Sequence, residues 1–402
     1  MPWSVRRAQA VSQSPELSRD HAAEDEGARP RLIVIGPLPP PDHGVTISTS
    51  LVLENRGLRR KFAVEHLDTS DHRSGANVGR WDVPNVVSAI SALVRFLIRL
   101  RGPRGVVYLP LSQGLPGLTR DSLFIRLASA MGWRVAAHLR GGELDQVVLR
   151  QPRPIRAWLI RSFERLDSIA VLGESLRPVV EELVPSTRVA VVPNGTPDPF
   201  VRGASYSGQV GLFLSSLRAR KGVIEAMEAA LLVLRTRPSA RFVFAGEARD
   251  SRMAAELARL AQKGDGQIEL WPPVSKAEKD RLLESAAFLI FPPIQPEGHP
   301  RVVLEAMAAG VPVITTDQGS IAETLVDGSC GYVLPTADPP RLAERMLRLF
   351  SDSALRSAMG AAARERYLER YTQEQADRAF THWLAQLAAA SAKPGAASTR
   401  SD

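Results

Sequence analysis

Residues 286–335 read AAFLIFPPIQPEGHPRVVLEAMAAGVPVITTDQGSIAETLVDGSCGYVLP, and this stretch limits the fold more tightly than any other. Ala287 to Phe291 is an unbroken apolar run, the pattern of a strand covered on both faces and so of a parallel sheet. Pro292 and Pro293 stop it, and a loop holding Glu297 and Gly298 follows. Pro300 suits the start of a helix, where its missing N–H costs nothing. Arg301 to Ala309 reads as that helix, Gly310 as its end and Val311 to Thr315 as the next strand.

Two carboxylates bracket the helix start. Glu297 precedes it, and Glu305 lies about 7 Å beyond it at the rise of an α-helix. Between them the helix offers free N–H groups and a positive dipole end, a ready site for a diphosphate. One glutamate can meet hydroxyls on one side of the phosphates and the other can meet hydroxyls beyond. A nucleotide sugar has this layout of sugar, diphosphate and ribose. Either glutamate alone would read as an ordinary solvated side chain.

The stretch resembles the retaining glycosyltransferases of family 4, which have the GT-B fold. The matching residues are Glu297-Gly298-His299-Pro300, Val303-Leu304-Glu305-Ala306-Met307-Ala308 and Gly310-Val311-Pro312-Val313-Ile314. The resemblance extends from about residue 31 to 390. It implies a metal-independent enzyme with no bound cofactor, whose donor substrate is a nucleotide-diphosphate sugar. It also implies two Rossmann-like domains facing a cleft, with a last helix that crosses back to the first.

Composition agrees with this scale. The chain has 402 residues, 44% hydrophobic and 23% charged, enough for two globular domains. Cys330 is the sole cysteine, so no internal disulfide can form, and it reads as a small buried residue. The histidines show no ligand spacing, and no metal site is expected. Net charge is +8, arginine-heavy and spread out, without the aromatic interleaving of a nucleic-acid binder. Anionic substrates or an anionic membrane face explain it better. Residues 1–30 read as a flexible extension, not a secretory signal, and no run is long enough to span a bilayer.

The expected first domain covers residues 31–196. Arg31 to Gly36 is its first strand, and the proline loop to Gly44 ends where the resemblance places small residues near sugar and acceptor. His43 beside it fits a plain turn equally well. Residues 68–83, with Gly75 and Gly79, read as a loop beside the acceptor. Asn85 to Leu100 is a strongly apolar helix. With Arg95, Arg99 and Arg101, and Trp81 upstream, it reads as a sheet-covering helix with snorkelling arginines, a membrane-facing edge being the other reading. His138 ends the strand Trp133 to Leu139 before Arg140-Gly141-Gly142. Ligands of open α/β sheets lie past strand C-termini, and the resemblance gives His138 a role beside the donor sugar. Pro193-Asn194-Gly195 reads as a turn at the cleft edge.

Residues 197–208 read as a linker, and residues 209–371 as the donor-binding domain. Its first strand leads into Ser215 to Gly222, SSLRARKG. Lys221 stands before a helix start, well placed as a point charge for phosphate. Ser215-Ser216 replaces the Gly-Arg usual in the resembling family, which removes one guanidinium; Ser216, Arg218 or Arg220 are the candidates to replace it. The resemblance further assigns Gly298, Val303 and Glu305 to the donor, with Glu297 and His138 at the reaction centre. Residues 372–390 form the crossover helix and residues 391–402 a disordered tail.

The expected activity is transfer of a sugar to a hydroxyl of a glycan or lipid-linked acceptor in bacterial surface-polysaccharide assembly. The expected place is the cytoplasm, peripheral on the inner membrane face, with no nucleic-acid partner. The alternatives are a non-catalytic binding protein of the same fold, or a nucleotide-sugar hydrolase or epimerase.

Overall fold

A computed structural model describes residues 29–40, 44–70, 83–200 and 208–390. The start of the N-terminal extension, His43, Trp81 and most of the loop around it, residues 201–207 of the linker and the C-terminal tail lie outside the described residues.

The first lobe holds strands β1 (Arg31–Gly36), β2 (Ala63–Asp68), β3 (Val106–Leu111), β4 (Arg134–Leu139), β5 (Ser168–Val171) and β6 (Val189–Val191). The second holds β7 (Val210–Leu214), β8 (Arg241–Ala245), β9 (Ile268–Trp271), β10 (Ala286–Phe291), β11 (Val313–Thr316) and β12 (Gly331–Leu334). The sheet orders are β2-β1-β3-β4-β5-β6 and β12-β11-β10-β7-β8-β9, and every pairing is parallel. This is the expected pair of doubly wound α/β units. Every residue of β10 is buried, as its unbroken apolar run demands.

In each sheet the strand order reverses once, between β1 and β3 and between β10 and β7. At such a reversal the flanking loops leave to opposite faces and open a crevice past the strand C-termini. The loop after β10 carries Glu297, and the loop after β7 carries Lys221. The fold therefore brings together two segments separated by some seventy residues of chain.

The terminal helix Gln373–Ala389 leaves the second lobe at Thr372, which bridges Thr196. Its Phe380, Trp383, Leu384 and Leu387 join a core with Leu32, Val34 and Tyr108 of the first lobe. The Trp383 Nε1–H donates to Ser168 Oγ at 2.9 Å, and Asn55 Nδ2 donates to Thr381 Oγ1 at 3.1 Å. The chain thus crosses between lobes twice at one place, which makes that place the hinge.

Candidate active site

The helix Arg301–Ala308 begins after Pro300 and ends before Gly310, close to the sequence reading. Lys221 Nζ lies 2.6 Å from Glu297 Oε1, and the two side chains are only 14% and 12% exposed. Burial pushes the Lys221 ammonium below the ordinary lysine value, and the neighbouring Glu297 works against that. The ammonium also lies 5.5 Å from the Phe291 ring centroid. Glu305 accepts a hydrogen bond from Lys279 Nζ at 2.5 Å, with 17% of its side chain exposed. Lys279 comes from the helix Lys276–Ser285, which the capping box of Ser275 and Glu278 starts. Each of the two glutamates thus has its own lysine.

Arg218, Arg220 and Lys221 crowd the end of β7. Burial first, then the charges of Arg249 and Arg220, push Arg218 below its ordinary value. Arg220 Nη1 reaches Glu143 Oε2 of the first lobe at 3.5 Å. Ser216 accepts from the Arg218 amide through its carbonyl. Gly44 opens the helix Gly44–Glu54, and a Cβ there would meet nothing within 4 Å, so no neighbour in the protein demands a glycine.

Two expected site residues are buried. His138 is 1% exposed, its ring packs against Tyr108, Phe380 and Trp383 under the terminal helix, and it lines a small cavity with Arg140 and Arg301. Alternation along β4 is the reason, since His138 shares a sheet face with Ala136, and that face is the one Phe380 covers. Burial, then repulsion from Arg140, lowers its pKa well below the ordinary value. Val303 is fully buried, and its amide donates to Pro300 O at 3.1 Å, so neither its side chain nor its N–H is offered to a donor.

The residue past β4 that stands at the junction of the lobes, beside Arg301, is Arg140. Its guanidinium donates to Asn194 Oδ1 at 2.6 Å, Tyr108 OH at 3.1 Å and Ser48 Oγ at 3.2 Å. Arg301 of the second lobe donates to the same Ser48 Oγ at 3.0 Å and to Gly195 O at 2.5 Å. Ser48, His138, Arg140, Asn194, Gly195 and Arg301 line a cavity of about 30 Å³ at the hinge. Burial, then the charge of Arg140, lowers Arg301 to about 10. Asn194 also grips His299, donating from its amide to Nδ1 at 3.1 Å and from Nδ2 to the carbonyl at 2.8 Å. On the far side, Glu323 accepts from the amides of Glu174 at 2.8 Å and Ser175 at 2.5 Å. Sequence reasoning placed Asn194 at the cleft edge but missed Arg140, Arg301 and Glu323. Their one signal was position, at strand ends or a helix start.

This hinge predicts an acid sensitivity. Burial, then the charge of Arg301, lowers His299 from 6.5 to about 3. Between those values the unfolded chain binds a proton that the folded chain refuses, so stability falls as pH falls. Each such histidine contributes up to about 1.4 kcal/mol per pH unit in that window, and His138 titrates in the same sense. Thermal unfolding from pH 7 to 5 is expected to show a fall that His299→Asn makes shallower. An unchanged slope in that variant would remove His299 from the account.

Residues 200–366 match the family described as glycosyl transferases group 1. An exopolysaccharide phosphotransferase of Streptomyces coelicolor is 30% identical over 235 residues, which are 57% of this chain and 23% of that protein. The chain thus spans under a quarter of that relative. A phosphatidyl-myo-inositol mannosyltransferase of Mycobacterium leprae is 25% identical over 285 residues, 60% of this chain and 75% of the relative. Among solved structures, sucrose-phosphate synthase from Thermosynechococcus elongatus superposes with a TM-score of 0.71 at 15% identity, covering 90% of this chain and all of that one. Anabaena HepE in complex with UDP-glucose gives 0.69 at 12% identity, covering 89% of this chain and all of its own. At such identities the two structures share the fold, which is GT-B. Over residues 200–366 the chain is thus similar to the glycosyl transferases group 1.

Proposed function

We propose that this glycosyltransferase moves a sugar from a nucleotide-diphosphate donor to a hydroxyl of a glycan or glycolipid, with retention at the anomeric carbon. The observation that carries this is the buried Lys221–Glu297 pair at the β7/β10 reversal, followed by Glu305 on the adjoining helix. Glu297 holds sugar hydroxyls, and Glu305 holds the ribose. Lys221, the arginines beside it and the start of the helix Arg301–Ala308 stabilise the charge that grows on the leaving diphosphate. The acceptor oxygen bonds to the anomeric carbon as the bond to the diphosphate oxygen breaks. The acceptor's proton passes to that departing oxygen on the same face. The step takes its positive charge from side chains and asks for no metal. Contact between the lobes excludes water and limits hydrolysis.

The names of the two sequence relatives, one acting in exopolysaccharide chemistry and one on a phosphoinositide, support a surface glycan or glycolipid as acceptor. The setting we assign is bacterial cell-surface polysaccharide assembly at the cytoplasmic membrane face. A thermal-shift screen with UDP-, GDP- and ADP-sugars is expected to give a rise with one base class. Transfer with that donor to a membrane glycolipid extract then tests the reaction. Binding without transfer would favour a non-catalytic role, and release of free sugar without acceptor would favour a hydrolase.

A further inference from the structure

Helix Val83–Arg99 has two apolar faces, and the fold uses one of them. Ala92, Phe96 and Leu100 are buried in the first lobe's core, with Leu93 packed beside them. On the other side Val87, Ile90, Val94, Leu97 and Ile98 stand in solvent, with Val87 60% and Ile98 58% exposed. At helical periodicity these five form one stripe opposite Phe96. They are five of the eight large hydrophobic residues that the first lobe exposes among its described residues. A helix that only covers a sheet explains the buried face and leaves the stripe without a purpose.

The charge along the helix has one sign. Arg95 and Arg99 border it, Arg101 and Arg104 follow at exposed positions, and no Asp or Glu occurs from Val83 to Arg104. On this surface Arg95 and Arg99 donate to main-chain carbonyls, those of Asp68 and Arg95. An apolar stripe edged by arginines is the surface of a helix lying in a membrane interface. A second copy of the chain would fit it less well, since pairing would bring a cationic surface against itself.

We propose that this face docks the protein on an anionic lipid bilayer, the stripe entering the acyl boundary and the arginines meeting phosphate headgroups. Docking rests on the proposed function only for its purpose. β2 ends at the cleft and the helix runs antiparallel to it, so Val87 lies toward the cleft and Ile98 away from it. A lipid-linked acceptor held in the docked bilayer therefore reaches the cleft from the Val87 end.

The test uses the full chain and vesicles of phosphatidylcholine, alone or with about 30% phosphatidylglycerol, read by co-sedimentation without any donor. The protein is expected on the anionic vesicles only, and less of it as salt rises. Val94→Glu with Ile98→Glu is expected to cut binding about tenfold or more. Arg95→Ala with Arg99→Ala and Arg101→Ala is expected to weaken binding and flatten its salt dependence. Tm should hold in the glutamate pair, because both side chains are exposed. No binding to anionic vesicles, equal binding by the glutamate pair, or a concentration-dependent dimer that this pair dissolves would each overturn the proposal. None of those results touches the transferase reading, which is assayed with donor and acceptor.

Discussion

Glu297→Gln is expected to lower transfer by about two orders of magnitude or more, the scale seen when one preorganised polar contact to a reacting group is lost. Lys221→Met should do the same by removing positive charge from the leaving diphosphate. Each change also strands the partner. With both side chains mostly buried at 2.6 Å, the remaining charge loses its counter-ion in a poorly solvated place. That costs up to about 3 kcal/mol, so each single variant should melt early. A drop in activity alone would therefore prove little. The double variant separates the two effects. With neither charge present, most of the lost Tm should return, because no unpaired ion is left. Transfer should stay as low as in the singles, because donor contacts do not return with stability. Recovery of activity together with Tm would make the pair a structural ion pair and remove it from the chemistry. Glu305→Gln is the companion case, where Lys279 is the stranded partner and donor affinity is the expected loss.

The sequence exposed the parts of the site that are local. β10, the helix at Arg301 and the placing of Glu297 and Glu305 around it follow from apolar runs, prolines and one glycine within twenty-odd residues. Lys221 was legible because Lys-Gly before a helix start is a local pattern too. The burial of His138 was not legible, because strand position gives which end of the sheet a residue occupies but not which face it shows. The face depends on where a helix over two hundred residues later lies down. The burial of Val303 was not legible for a related reason, since helix phase sends it into the core while Glu305, two positions on, looks out. Arg301 and Glu323 were missed because their partners, Ser48, Gly195 and the amides of Glu174 and Ser175, belong to the other lobe, and Arg140 because its partners Asn194 and Ser48 are more than fifty residues away in the chain. Contacts across a hinge leave no periodic trace in the chain.

That same junction yields the second large effect. Gly298→Ala is expected to lower the transfer rate by about a hundredfold while donor affinity changes only a few-fold. A Cβ on Gly298 would lie 2.5 Å from Arg140 O and 2.8 Å from Leu172 Cδ1, both in the opposite lobe. Gly142 answers from that lobe, where a Cβ would lie 2.8 Å from Pro296 Cβ. One added methyl therefore wedges the lobes apart without breaking either of them. Donor contacts within the second lobe survive, and the acceptor side is displaced by the width of a methyl group. Gly319→Ala makes the contrast. Gly319 has φ +66°, and its Cβ would lie 1.8 Å from the carbonyl oxygen of Glu297. That clash is inside the second lobe, so stability and donor affinity should both fall. Small-angle scattering should show Gly298→Ala as a slightly larger particle with a normal donor thermal shift. If Gly298→Ala instead transfers at the normal rate, the close approach of the two lobes at this point is packing and not part of the reaction.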